Sequence, residues 1–118
     1  MKAYLKGKKF DILITFDDQG VSSHHNHISV SNACQQYFDD QKKKPKFKIL
    51  LKLRTVGLFR KYSSFADIVN CAHNELHWFQ FRPATQMRAM AAHHSQNVWF
   101  RKLFVWFSRY TFVNSFTF

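Results

Sequence analysis

The chain has 118 residues, of which 46% are hydrophobic and 18% aromatic, so it suits one small domain with a thin core. Its 18 Lys and Arg against 7 Asp and Glu give a formal net charge of +11, which indicates either a polyanionic partner or an unselected reading frame. No apolar run is long enough to cross a membrane, and lysines interrupt residues 1–9, so we expect no transmembrane helix and no signal peptide. The chain's 2 Cys do not make a disulfide framework, so we expect an intracellular protein, cytoplasmic or nuclear.

The first predicted element is a strand at about 10–16. Phe10, Ile12, Ile14 and Phe16 recur at every second position, which is the period of a strand. The sequence DDQG then indicates a turn. Residues 17–45 are mostly polar and lack a clear period, so we predict a loop or flexible segment there.

A second strand is predicted at about 46–56. Phe47, Ile49, Leu51 and Leu53 fall on one side of an extended chain, while basic residues occupy most of the other side. An amphipathic helix is the alternative for this segment, but the alternation favours a strand.

Two helices are predicted after the strands, at about 64–80 and 84–110. Ser64 precedes the first as an N-cap, and Pro83 suits the first turn of the second. The first helix has apolar residues at helical spacing, namely Phe65, Ile68, Val69, Ala72, Leu76 and Phe79. The sequence therefore predicts a small α+β single domain over 1–118, with a mostly helical or partly disordered chain as the alternative.

Histidines suggest a metal site at two places, and at both we favour a simpler interpretation. The stretch CAHNELHWFQF at 71–81 resembles the H-E-x-x-H zinc motif, but Asn74 stands where the glutamate is required. On a helix, Cys71 and Glu75 would point away from the face shared by His73 and His77. The cluster SSHHNHIS at 22–29 is interpreted as a solvated loop. We therefore predict no metal, no other cofactor and no catalytic residues.

Positive charge is concentrated between residues 41 and 62, which hold nine cations and no acid. Clustered cations attract phosphates, so this stretch is the predicted nucleic-acid-binding site. The predicted binding residues are Lys42, Lys43, Lys44, Lys46, Lys48, Lys52, Arg54, Arg60 and Lys61.

The segment 98–113 offers a second interpretation as an amphipathic aromatic helix. Aromatic residues on one face with Arg and Lys on the other are typical of a helix at a membrane interface. The predicted interface residues are Trp99, Phe100, Leu103, Trp106, Phe107 and Tyr110. The competing interpretation is the core-facing side of the last helix.

From these features we predict a small basic protein that is not an enzyme and binds nucleic acid through residues 42–61. The first alternative is a peripheral membrane protein that contacts an anionic lipid surface through 98–113. The second alternative is an incidental or recently arisen reading frame with no evolved activity. No small-molecule substrate is identified.

Overall fold

The computed structural model describes residues 10–40, 48–71, 73 and 75–118, and its architecture is α+β, as predicted. The strands of the described residues are β1 (Ile12–Phe16), β2 (Ile49–Leu53), β3 (Leu76–Phe79) and β4 (Val113–Thr117). Their order in the sheet is β1-β2-β4-β3. The α-helices of the same residues are α1 (Gly20–Ser23), α2 (His25–Asp40), α3 (Leu58–Lys61), α4 (Pro83–Ala91) and α5 (Trp99–Phe107). Short 3-10 helices cover Ser64–Asn70, His94–Gln96 and Arg109–Thr111.

Residue contacts divide the chain into two compact units. The first comprises Met1–Thr55 together with Phe116–Phe118, and the second comprises Val56–Ser115. The sequence-based expectation of one domain stays a prediction.

The first unit is built on two parallel strands, which confirms both predicted strands with narrower bounds. β1 pairs with β2 from Ile12 opposite Ile49 to Phe16 opposite Leu53. β2 also pairs antiparallel with β4, where Leu53 lies opposite Phe116. A parallel pair needs a long crossover connection, and helix α2 lies within it.

Helix α2 supplies one side of the core of the first unit. Cys34 and Tyr37 on the helix are buried together with Leu50 of β2. The two helical residues are three positions apart and therefore share a face of the helix. The predicted loop or flexible segment at 17–45 is thus wrong over His25–Asp40. Only a narrow strip of this otherwise polar helix is apolar, which is why no apolar period is visible in the sequence.

A buried ion network organises the second unit. Asp67 and Arg109 are both fully buried, and the Asp67 carboxylate lies 2.5 Å from the Arg109 guanidinium. Arg60 donates two hydrogen bonds to the same carboxylate, at 2.8 and 3.0 Å. Burial alone would raise the pKa of Asp67, but the Arg60 hydrogen bonds and the charges of Arg109 and Arg60 outweigh it and lower that pKa. The hydrogen bond with Asp67 raises the pKa of Arg60.

The predicted helices at 64–80 and 84–110 are wrong in extent. The first is a 3-10 helix only as far as Asn70, and its C-terminal part contains strand β3 instead. The second is interrupted, because His93 and Asn97 have ψ angles of 72° and 58°, outside the helical region. Pro83 begins helix α4 as expected. Tertiary contacts thus override a periodicity that on its own indicated helix.

Candidate functional site

Polar side chains gather where the two parallel strands end. β1 ends at Phe16 and is followed by Asp17, while Thr55 follows β2 by two residues. The carboxyl ends of parallel strands meet at one edge of a sheet, and this edge is where open α/β sheets bind ligands. The segment from Asp17 to His27, together with Thr55, is called the strand-end site below.

Asp17 fixes the backbone of the strand-end site through its carboxylate. Oδ1 accepts hydrogen bonds from the N–H groups of Gln19 and Gly20, at 3.1 and 3.0 Å, and from the Thr55 hydroxyl at 2.6 Å. Oδ2 accepts from the Thr55 N–H at 2.5 Å. Thr55 Oγ1 in turn accepts from the N–H of Val21 at 2.8 Å. Asp17 thus ties the two strand ends together as a positioning residue.

The backbone after Asp17 is strained. Gly20, Val21 and Ser23 have φ angles of 61°, 65° and 56°, and a β-branched residue such as Val21 rarely adopts positive φ. A Cβ at Gly20 would lie 2.9 Å from the Cβ of His27, so a larger residue does not fit there. Such strain clusters at functional sites, where the surrounding structure over-determines it.

Two histidines of the site have defined and opposite hydrogen-bonding roles. His27 Nδ1 lies 3.0 Å from the Gly20 carbonyl oxygen, which can only accept, so Nδ1 carries the proton and Nε2 of the neutral ring does not. His24 Nδ1 accepts from the Asn26 N–H at 3.3 Å, which leaves the proton of that neutral ring on Nε2. The His27 ring stacks on Phe16 with centroids 4.2 Å apart, and the two imidazoles are 5.2 Å apart.

This arrangement places one proton acceptor, Nε2 of His27, beside one hydrogen-bond donor, Nε2–H of His24. Nε2 of His27 can accept a proton or serve as a metal ligand, since metal-binding histidines commonly hold their other N–H on a carbonyl. Within the described residues no group of three or more His, Cys, Asp or Glu is placed to hold a metal ion. The interpretation of 22–29 as a plain solvated loop is wrong, because the structure incorporates His24 and His27 into a built site and begins helix α2 at His25.

The near-zinc motif at 71–81 does not form the helix on which its rejection as a metal site relied. His77 lies on β3, and its Nδ1 is 2.9 Å from the Ser115 hydroxyl oxygen. Ser115 Oγ also accepts from Arg109, which joins His77 to the buried ion network of the second unit. Cys71 donates a weak hydrogen bond to the Asp67 carbonyl. These contacts are those of a structural network.

The predicted nucleic-acid-binding residues are only partly described. Lys42, Lys43, Lys44 and Lys46 lie outside the described residues. Lys52 pairs with Asp18 at 3.0 Å, and Arg60 belongs to the buried network. Lys48 lies 4.0 Å from Asp11, with both side chains exposed. Arg54 and Lys61 are half-buried. The structure therefore commits several of these cations to partners within the protein.

The predicted interface residues at 98–113 divide into two groups. Trp99, Phe100, Leu103, Trp106 and Phe107 lie on α5 and are exposed, which excludes the core interpretation for them within the second unit. Tyr110 is half-buried, and its hydroxyl accepts from the Val56 N–H at 3.2 Å. None of the described helices has the length and apolar character required to span a bilayer.

Comparison with known proteins finds relatives that share most of this chain. The N-acetylglucosaminyl-phosphatidylinositol de-N-acetylase of Bos taurus is 37% identical over 119 residues, which cover 98% of this chain and 47% of the relative. The protein named as the probable enzyme of the same kind in Dictyostelium discoideum is 33% identical over 145 residues, covering 96% and 56%. Its counterpart in Schizosaccharomyces pombe is 32% identical over 108 residues, covering 83% and 42%. The chain thus spans about half the length of the curated relatives it matches.

Two further comparisons give no match. No family model matches the chain. No solved structure matches it either.

The relatives overturn the functional predictions made from composition. They are named as de-N-acetylases, which are hydrolytic enzymes, so the prediction of a non-enzymatic nucleic-acid-binding protein is wrong. The alternative of an incidental reading frame with no evolved activity falls with it, while contact with an anionic lipid surface through 98–113 stays a prediction. The predicted cytoplasmic or nuclear location is also overturned, because the relatives are named for a phosphatidylinositol lipid, which resides in membranes. The net charge describes the excess of Lys and Arg in the chain, and it does not indicate whether a protein is an enzyme.

Proposed function

We propose that this chain contributes the strand-end site to a hydrolase that removes the acetyl group from an N-acetylglucosaminyl phosphatidylinositol lipid. The observation that carries the proposal is the 37% identity to the cattle enzyme across 98% of the chain. The strand-end site supports it, because it combines a strained turn with two histidines in complementary hydrogen-bonding states.

The reaction is the hydrolysis of an amide. The oxygen of a water molecule bonds to the acetyl carbonyl carbon, the carbon–nitrogen bond breaks, and acetate and the free amine of glucosamine leave. In the proposed site His27 Nε2 accepts a proton from the attacking water and then passes that proton to the departing nitrogen, while His24 Nε2–H donates a hydrogen bond to the negative oxygen that forms on the acetyl carbon. Asp17 and Thr55 hold the turn that places both rings. General acid–base catalysis of this kind contributes about 10²–10⁴ in rate.

The test uses a chimera in which this chain replaces the segment of the Bos taurus enzyme that it matches. Acetate release from N-acetylglucosaminyl-phosphatidylinositol is measured for the chimera and for its His24→Ala and His27→Ala variants. Each variant is expected to lose about 10²–10⁴ in kcat. His25→Ala is the matched control, since His25 lies between them in the sequence and is exposed at the start of α2.

Two results would contradict the proposal. One is a folded chimera that binds the lipid but releases no acetate. The other is a His27→Ala variant with the same kcat as the His25→Ala control.

A further inference from the structure

An open apolar cavity of about 730 Å³ lies in the second unit, away from the strand-end site in sequence. Its volume is in the range of pockets that bind small molecules. It is lined mainly by aromatic and aliphatic side chains from α4, α5 and the residue that follows α3. The lining residues are Tyr62, Met90, Phe100, Arg101, Leu103, Phe104 and Phe107.

The α5 side of this cavity is an exposed apolar face of a helix. Phe100, Leu103, Phe104 and Phe107 follow the spacing i, i+3, i+4 and i+7, which places them along one stripe. Phe100 and Phe107 are each 55% exposed, although such a stripe ordinarily faces a core. Contiguous exposed apolar surface of this kind marks a binding site.

Aromatic contacts shape the walls of the cavity. The ring of Phe100 meets that of Trp99 edge-on at 5.9 Å, and the ring of Phe104 meets that of Tyr62 edge-on at 6.2 Å. These pairs orient the flat rings of Phe100 and Phe104, which carry no polar atoms. The lining therefore suits a flexible hydrocarbon chain better than a polar ligand.

One cation, Arg101, belongs to the lining. Its guanidinium donates to the Gln96 side-chain oxygen at 3.3 Å, and Arg101 is exposed. A phosphate beside the cavity would therefore find a charge-assisted donor next to the apolar wall. An apolar tail attached to a phosphate is the structure of a phospholipid.

We propose that this cavity, the α5 groove, binds an acyl chain of a phospholipid, with Arg101 directed to the lipid phosphate. The inference rests on the proposed function in that the lipid is the phosphatidylinositol part of the substrate. It adds a binding site for the part of the substrate that does not react.

Binding is tested with the full chain and phosphatidylinositols that carry two acyl chains of four, six or eight carbons, each below its micelle concentration. Affinity is expected to rise with chain length, by up to about fourfold per buried methylene, equivalent to about 0.8 kcal/mol. A lipid brominated on its acyl chains is expected to quench Trp99 in a Trp78→Phe background, because bromine quenches tryptophan at close range and the Trp99 ring packs edge-on against Phe100 of the lining.

The variants separate the groove from general surface hydrophobicity. The double variant Phe100→Ser and Leu103→Ser is expected to bind the eight-carbon lipid at least tenfold more weakly. The matched control, Phe59→Ser and Val69→Ser, alters side chains that are 95% and 86% exposed outside the groove and is expected to bind normally. Circular dichroism checks that both variants fold as the parent does.

Several outcomes would overturn the proposal. These are affinity that does not depend on acyl length, equal binding by the groove variant and its control, and an unquenched Trp99. A dimer that buries the groove and dissociates in the groove variant, without any lipid binding, would also overturn it and assign the face to a second copy of the chain.

The proposed function and the proposed lipid groove can be tested independently of each other. In the cattle chimera the groove variant is expected to lose activity on the intact lipid while keeping it on an acyl-free N-acetylglucosaminyl-inositol phosphate. If the chimera binds lipid through the groove but hydrolyses neither compound, the proposed function fails and the groove stands. If the groove variant hydrolyses both compounds as the parent does, the groove fails and the function stands.

Discussion

The two units of this chain differ in where they place their charged and aromatic residues. In the first unit Cys34, Tyr37 and Leu50 are buried, and the histidines stand at the exposed end of the parallel strands. In the second unit Asp67 and Arg109 are fully buried, while the aromatic residues of α5 lie at the surface. The second unit also buries Val56, Val105, Phe112 and Val113, so its ion pair lies among apolar side chains that do not include the aromatic face of α5. Under the two proposals above, proton transfer belongs to the first unit and apolar binding to the second.

The largest expected loss of stability comes from removing one partner of the buried ion pair. Asp67→Ala removes the carboxylate that faces the buried Arg109 guanidinium, and we expect a loss of about 3–5 kcal/mol in the free energy of unfolding of the second unit. Urea unfolding followed by tryptophan emission measures it, because Trp78, Trp99 and Trp106 all lie in Val56–Ser115. A loss below 1 kcal/mol would show that the network is not what holds this unit together.

Acidification tests the same network without a substitution. The pKa of Asp67 is lowered in the folded protein, so its contribution is fully present above the unfolded value of about 3.9 and is lost as the pH falls through the folded value. The urea midpoint of the second unit is therefore expected to fall below about pH 4, by no more than the loss in Asp67→Ala. The Asp67→Ala variant is the control, and an equally steep decline in that variant would assign the effect to other carboxylates.

Gly20 tests the first unit. Gly20→Ala places a Cβ 2.9 Å from the Cβ of His27 at a φ of +61°, and we expect a loss of about 1–3 kcal/mol in stability. Gly57→Ala is the matched control, because a Cβ at Gly57 would meet nothing within 4 Å. Urea unfolding followed by far-ultraviolet circular dichroism compares the two. Equal midpoints would show that the turn relaxes without cost.

The smallest expected effect comes from an exposed ion pair of the first unit. Lys48 and Asp11 are 4.0 Å apart, with both side chains more than 80% exposed. Lys48→Ala is expected to change the free energy of unfolding by less than about 1 kcal/mol, and less still in high salt. A larger effect in the same urea titration would mean that surface charge stabilises the first unit as buried charge does the second.

The sequence predicted those elements whose local pattern agrees with their environment. The alternation of Ile12, Ile14 and Phe16 predicted β1, and that of Ile49, Leu51 and Leu53 predicted β2. Helix α2 was not predicted, because its buried side consists of only three residues, Ser31, Cys34 and Tyr37. The prediction of a helix at 64–80 was wrong for the opposite reason, because an apolar pattern was present without burial. Its stripe contains Phe65 and Val69, which the structure leaves exposed, so apolar spacing did not indicate burial.

The candidate site could be predicted only in part. The sequence shows DDQG after a strand and histidines a few residues later, and that combination is a usable signal once the strand is known to have a parallel partner. The rest of the site depends on contacts between residues that are far apart in the sequence. Asp17 is held by Thr55, 38 residues away, and no local pattern reveals that contact. The α5 groove was foreseen as an apolar face, whereas Tyr62 and Met90 join it only through the fold.

The strand order has a consequence for how the chain is made. β2 is completed by Phe116 and Thr117 of β4, and these residues follow the whole of Val56–Ser115 in the sequence. During synthesis on the ribosome, one edge of β2 therefore stays unpaired until the second unit has been synthesised. Exposed strand edges pair readily with other chains. While those sixty residues are translated, that edge of β2 is open to pairing with other chains, until β4 covers it.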